Sequence, residues 1–343
     1  MPGEFDLIQR YFTRPNRRDD VALAVGDDCA LLTVPAGQLL AVSTDTLIAG
    51  VHFPVDTAPY DIGWKALAVN LSDLAAMGAQ PAWATLAITL PEFNHPWLQA
   101  FSAGLFALAE PHKLALVGGD TTRGPLSITI TVHGFVPAPQ ALRRDAAQVG
   151  DVVAVTGTLG DAGRALAHAL GQSPITDQTD AEWLLARLNR PSPRLAAALA
   201  LRGIGHAAID ISDGLLQDLQ HVLNRSGVGA ALQMESLPLS AALRRQTTTE
   251  QQAVELALGS GDDYELCVTI PAARWPQAQA AVNACGVTLT RIGRITATPG
   301  LALDWNGAAF MPTQRGYDHF KDSQSHVDQA NSNQLNSHLK ERS

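Results

Sequence analysis

Four times along this chain a short apolar run leads into carboxylates accompanied by glycine, serine or threonine. Leu23-Ala24-Val25 runs into Gly26-Asp27-Asp28, Leu40-Ala41-Val42 into Ser43-Thr44-Asp45, Leu114-Ala115-Leu116-Val117 into Gly118-Gly119-Asp120, and Ala207-Ala208-Ile209 into Asp210-Ile211-Ser212-Asp213. Such runs read as strands, and helical patterns lie between them, which is the rhythm of an α/β or α+β fold. In these folds ligands gather beyond strand ends and beside helix N-termini, so the pattern predicts acids placed where a ligand would lie. With 343 residues the chain has room for about two domains with real cores.

Composition sharpens the pattern. Of 33 acids 24 are Asp, which prefers turns, caps and metal sites over solvated helical faces. Of 24 bases 20 are Arg, and only Lys65 and Lys113 precede the final stretch. The net charge of −9, with no basic run interleaved with aromatics, excludes a nucleic-acid or anionic-membrane surface as the expected partner. No apolar run approaches the roughly 18 residues of a spanning helix, and Met1-Pro2-Gly3-Glu4-Phe5-Asp6 lacks the pattern of a signal peptide, so a cytoplasmic protein is expected. Cys29, Cys267 and Cys285 are too widely spaced for a CxxC metal site and read as small buried apolar residues.

Between Asp61 and Met77, residues Trp64, Leu67, Ala68, Leu71, Leu74 and Ala75 fall on one helical face and Gly78 supplies the stop. Asn70 and Asp73 share another face, so Asp73 is presented from a helix. A second helix is predicted from about Gly214 to Gly227, capped by Ser212 or Asp213, and others fit 96–109, 161–170, 181–202 and 274–284. A polar stretch with Arg143, Arg144 and Asp145 predicts a boundary near 137–150. The expected domains are therefore 1–137 and 150–320, followed by a polar, disordered tail at 321–343.

Any single Gly-Asp is most simply a turn, and it is the recurrence that points to a site. Asp27, Asp28, Asp45, Asp73, Asp120, Asp210 and Asp213 have no lysine in their immediate motifs. If several converge they cannot all stay ionised without cations. Asp, Ser and Thr are hard oxygen donors that suit Mg²⁺ or Ca²⁺ and not zinc; Mg²⁺ is usually shared with substrate phosphates, so nucleotide chemistry is the leading expectation. Gly118-Gly119-Asp120-Thr121-Thr122-Arg123-Gly124 could bring backbone amides to phosphates. Walker A and protein-kinase motifs are absent, which excludes the familiar kinase folds.

Six motifs in order resemble the thiamine-monophosphate kinase family, in the aminoimidazole ribonucleotide synthetase superfamily. They are Gly26-Asp27-Asp28-Cys29-Ala30, Ser43-Thr44-Asp45-Thr46-Leu47, the stretch from Ala66 to Gly78 containing Asn70-Leu71-Ser72-Asp73, Gly118-Gly119-Asp120-Thr121, Asp210-Ile211-Ser212-Asp213-Gly214-Leu215 and Gly261-Asp262-Asp263-Tyr264-Glu265-Leu266. The likeness extends from Gly3-Glu4-Phe5 to Gly316-Tyr317-Asp318-His319-Phe320.

The resemblance implies a two-domain synthetase-like fold and a homodimer whose N-terminal domains pair their sheets into a shared barrel. It implies ATP-dependent phosphorylation of thiamine monophosphate with several Mg²⁺ ions and no phosphoenzyme; a phosphate-monoester acceptor, largely ionised near neutral pH, needs no general base. Carried over by motif, Asp28, Thr44, Asp45, Asp73, Asp120, Asp210 and Asp213 match metal positions, with Asp27 adjoining them. Ser43, Gly119, Asp120, Arg144 and Ser212 match ATP positions, and His52, Asp262 and Tyr317 match acceptor positions. Position 262 is Asp where some relatives have Glu, a shorter reach to the same charge. The rival readings are another ATP-dependent enzyme of the superfamily, a metal-dependent phosphohydrolase, and a non-catalytic acidic metal-binding module.

Overall fold

The structure, a computed structural model, describes residues 4–15, 18–313 and 316. Tyr317 and the stretch 321–343 lie outside the described residues. The short helix α1 (Glu4–Leu7) leads through a π-turn to the small antiparallel pair β1 (Val21–Leu23) and β2 (Leu31–Leu32). The first large sheet then forms from β3 (Gln38–Ile48), β4 (Gln80–Leu90), β5 (Ala115–Arg123) and β6 (Ser127–Pro137), with α2 (Pro59–Ala76) and α3 (His95–Ala109) between its strands.

Its order is β3-β6-β4-β5, antiparallel except for the parallel β4–β5 pair. Alternation at period 2 sorts its faces. Leu47, Ile128, Ile130, Val132, Leu86 and Ile88 are buried in the core with α2 and α3, and Ser43 and Asp45 share that face through the register Ser43↔Val132 and Asp45↔Ile130. The opposite face carries Val42, Thr44, Thr46 and Ile48 beside Thr129 and Thr131, and no helix of the described residues covers it.

Two of the apolar runs do not end where carboxylates begin. β3 continues through Ser43-Thr44-Asp45 and β5 through Gly118-Gly119-Asp120, so these acids stand inside strands. Threonine is a good strand former, and the Gly pair is accommodated at a register shift beside Ala84 and Thr85. Gly119 has φ +153°, and a Cβ there would lie 1.8 Å from the Leu86 carbonyl oxygen, so no other residue fits this close approach.

The second half comprises β7 (Val152–Thr156), α4 (Asp161–Ala169), α5 (Gln178–Asn189), α6 (Leu195–Leu201), β8 (Ala207–Asp210), α7 (Leu215–Ser226), β9 (Gly229–Gln233), α8 (Ala241–Arg245) and α9 (Glu250–Gly259). It continues with β10 (Leu266–Ile270), α10 (Trp275–Asn283), β11 (Leu289–Thr296), β12 (Gly300–Trp305) and β13 (Ala308–Ala309). Its seven-stranded sheet has the order β13-β12-β9-β11-β7-β10-β8. β7 and β10 are buried throughout because both faces are covered: Val152, Ala154 and Val268 pack with α6 and α10, whereas Val153, Val155 and Cys267 pack with α7 and α9.

The helix expected over 181–202 is two helices. Pro191 and Pro193 break it, since each lacks an N–H and disfavours helix in the residue before it. Of the cysteines only Cys267 is buried; Cys29 is exposed and Cys285 half-buried.

Candidate active site

Three of the expected carboxylates meet, one from each of three elements. Asp45 stands inside β3, Asp73 near the end of α2, and Asp210 is the last residue of β8, where strand end and acid coincide as expected. The Ser43 hydroxyl donates a short hydrogen bond to Asp73 Oδ2. The Asp45 N–H donates to Asn70 Oδ1 at 3.1 Å, and the Ser72 hydroxyl donates to Asp210 Oδ2 at 2.8 Å. The last turns of α2 therefore tie the two sheets together through Asn70, Ser72 and Asp73.

Electrostatics show what this convergence costs. Asp45 is pushed up to about 6, first by burial and then by the Asp73 charge and a hydrogen bond to it. Burial also raises Asp73, against the Ser43 hydrogen bond and the nearby Arg144 charge. Asp210 is pushed up to about 8, chiefly by burial, then by Asp73. Because these folded-state values lie above the ordinary carboxylate value, the folded protein binds more protons than the unfolded chain, and this stability is lost as pH rises toward the raised values. Without divalent cation, the melting temperature should fall as pH is raised from 5 to 8, and Asp45→Asn should flatten the fall; a melting temperature that rises over that range would contradict this electrostatic picture.

The donor set is oxygen only, which fits Mg²⁺. Among the described residues no three His, Cys, Asp or Glu side chains stand close enough to hold an ion unaided.

The Ser212-Asp213-Gly214 loop follows β8 directly. Its three backbone N–H groups donate to a single oxygen, Asp218 Oδ2, at 3.0, 3.0 and 3.1 Å. The cap expected from Ser212 or Asp213 is thus supplied by Asp218, buried in the first turn of α7 and pushed up to about 7 mainly by burial. Asp213 itself accepts from Gln217 Nε2 at 3.3 Å. Gly316, the residue before Tyr317, lies against Asp213 and Gln217, since a Cβ on it would meet Gln217 Oε1 at 2.5 Å.

Other expected members stand apart in this chain. Asp27 and Asp28 are exposed after β1, with the Asp28 N–H donating to Asp27 Oδ1 at 2.8 Å. Thr44 faces the uncovered side of the sheet, paired with Thr131 at 2.8 Å. Asp120 lies opposite Ala87 on that same side, on β5, at the far edge from β3. Four adjacent strands separate Asp120 from Asp45 by three strand spacings, about 14 Å. His52 accepts the Ile48 N–H on Nδ1 at 3.0 Å in the turn after β3.

The loop Gly261-Asp262-Asp263-Tyr264-Glu265 runs beside the Asp210 motif. The N–H groups of Asp262 and Tyr264 donate to the carbonyls of Ser212 and Ile211, each at 2.8 Å. Asp262 and Tyr264 adopt φ of +68° and +48°, a left-handed conformation costing roughly 1 kcal/mol or more for such residues. Asp263 accepts the Gly160 N–H at 2.8 Å, and Glu265, fully buried, takes Arg187, Arg194 and Thr156. Gly157 makes room for that glutamate, because a Cβ there would lie 2.1 Å from Glu265 Oε1.

Sequence reasoning did not single out Asp218, Ser72 or Glu265 as parts of this site. An acid in the first turn of a helix that follows a strand-end carboxylate was an available signal for Asp218; no local signal marks Glu265, whose partners lie 71 to 109 residues away.

Known proteins arrange their chains in the same way. Residues 26–136 match the family described as AIR synthase related protein, N-terminal domain, and residues 148–306 match its C-terminal domain. The thiamine-monophosphate kinase of Salmonella typhimurium is 50% identical over 320 residues, covering 93% of this chain and 98% of that one. That of Haemophilus influenzae is 43% identical over 327 residues, covering 94% and 99%. Among solved structures, the thiamine-monophosphate kinase of Stenotrophomonas maltophilia K279a superposes with a TM-score of 0.80 at 51% identity over 85% of this chain and 93% of that one. The complex of AaThiL with AMPPCP and TMP does so with a TM-score of 0.73 at 31% identity, over 93% and 97%. The chain therefore belongs to the thiamine-monophosphate kinase family of AIR synthase related proteins.

Proposed function

We infer that this chain transfers the γ-phosphate of ATP to thiamine monophosphate, giving thiamine diphosphate and ADP. The observation that carries the reading is the meeting of Asp45 and Asp210, one from each sheet, with Asp73 from α2, in a chain 50% identical along nearly its whole length to thiamine-monophosphate kinases. The acceptor nucleophile is a phosphate-monoester oxygen, whose second pKa of about 6 leaves it ionised near neutral pH. It needs no general base, and no residue here is assigned a covalent role. What opposes the reaction is repulsion between two polyanions. Bound Mg²⁺ supplies neutralisation and in-line alignment of donor and acceptor oxygens. Asp28, Thr44, Asp45, Asp73, Asp120, Asp210 and Asp213 would hold the ions, and Ser43, Gly119, Arg144 and Ser212 the ATP. His52, Asp262 and Tyr317 would face the acceptor, whose fixed thiazolium cation suits a carboxylate and an aromatic face.

ADP release should require thiamine monophosphate and match thiamine diphosphate formed mole for mole. Acceptor-independent ADP release would instead support a phosphohydrolase.

The uncovered face of the first sheet supports a homodimer. Val42 and Ile48 are 55% and 42% exposed there, an apolar surface that a second copy would bury. Two four-stranded sheets joined at their edges would close a barrel, with β5 of one protomer beside β3 of its partner. That arrangement would bring Asp120 alongside the β3 strand of the other protomer, which carries Thr44 on the same face as Asp120 and Asp45 on the other. Mixing Asp45→Asn protomers with Asp120→Asn protomers should then restore about a quarter of wild-type turnover, because half the dimers are mixed and one of their two sites is intact. No restoration would place Asp45 and Asp120 in the same protomer's site or in none.

A further inference from the structure

A single lysine bridges the two halves beside the acceptor loop. Lys65 is 3% exposed, on α2, and its Nζ lies 3.0 Å from Asp262 Oδ1. The Tyr264 hydroxyl donates to the same oxygen at 3.1 Å. Asp262 Oδ2 accepts no hydrogen bond from the described residues, and the side chain is 26% exposed, so one carboxylate edge is anchored and the other is open. The anchored residue is one of two held in the left-handed conformation in this loop. A buried ammonium without a carboxylate partner is strongly disfavoured, so Lys65 and Asp262 hold one another in place.

Lys65 also stands two helical turns before Asp73, on the helix that supplies the carboxylate meeting Asp45. Seven residues on, Ser72 bonds Asp210 from the same side. The loop that would read the acceptor is therefore referenced to the same rigid helix as the phosphate-transfer site.

We propose that Lys65 is a positioning residue for acceptor recognition: by fixing Asp262 Oδ1 it aims Oδ2 at the cationic ring of the acceptor and cancels the surplus charge of the carboxylate. Selectivity then comes from a directed contact rather than from a net negative pocket. The inference rests on the kinase reading and on Asp262 facing the acceptor.

The test is a double-mutant cycle on the full-length protein with Lys65→Met, Asp262→Asn and both together, with KM for ATP, KM for thiamine monophosphate and melting temperature measured for each. Each single variant should raise the acceptor KM about tenfold and leave the ATP KM within about twofold, while the double variant is no worse than the worse single one. Lys65→Gln, which keeps a donor toward Oδ1 without the charge, should fall between wild type and Lys65→Met. It also serves should Lys65→Met not fold.

Additive effects near a hundredfold, equal rises in both KM values, or an unchanged acceptor KM in Lys65→Gln would overturn the proposal. Wild-type turnover that ignores thiamine monophosphate would overturn the kinase reading itself, and the inference with it.

Discussion

Asp73→Asn is expected to lower turnover by about a thousandfold or more at saturating ATP and Mg²⁺, with the metal-free protein melting at the same temperature or higher. Asp73 is the hinge of the acidic group. It takes the Ser43 hydrogen bond, and its charge raises both Asp45 and Asp210. Asparagine preserves shape and one acceptor oxygen, so the packing of α2 should survive. It removes a charge that is repelled by its neighbours when no cation is bound, which spares the resting protein, and it removes a ligand oxygen charge when phosphates and Mg²⁺ must be gathered, which does not spare the reaction. Steady-state turnover together with melting curves with and without Mg²⁺ separates the two effects. Near-normal turnover at ordinary Mg²⁺ would remove Asp73 from the site.

The second large effect concerns stability. Glu265→Gln should destabilise the protein by about 3 kcal/mol, read as a fall of roughly 6–12 °C in melting temperature. Glu265 is fully buried, and its two oxygens receive Arg187, both arms of Arg194 and the Thr156 hydroxyl. Glutamine keeps the volume but turns an amide N–H₂ toward a guanidinium and leaves two partly buried arginines without their counter-charge. Arg187 still faces Asp161 at 3.8 Å, which limits the loss. Urea unfolding with an unchanged slope and a shift below about 1 kcal/mol would show that the arginines find other partners.

The parts of the fold that were legible were those written in local periodicity. The extent of α2, its stop at Gly78 and the helix ending at Gly227 follow from spacing alone, whereas α2 is buried nearly all round, Lys65, Asn70 and Ser72 included, and not on one apolar face only. Long-range pairing was not legible in that way. An apolar run followed by Ser-Thr-Asp looks like a strand reaching its end, yet β3 continues because Thr44 and Thr46 pair with Thr131 and Thr129 across the ladder. Which face an acid takes depends on register, so Asp45 and Asp120, similar in their motifs, point to opposite sides of one sheet. Asp210 was legible because its strand does end there. Apolar spacing continues across Pro191 and Pro193, but the backbone chemistry of the two prolines ends the helix there.

Helix α2 has a consequence for recombination between relatives. Besides Lys65 and Ser72, it sends Asp61 toward Arg190 at 3.4 Å and Trp64 Nε1 to the Pro191 carbonyl at 2.9 Å. A chimaera joined in the linker between the sheets would therefore separate α2 from the half it was matched to, even though its cut lies in a loop. The transplantable unit is the C-terminal half together with the C-terminal-facing side of α2, and crossovers that move residues 61, 64, 65 and 72 along with that half should yield folded hybrids where a cut at the linker alone does not.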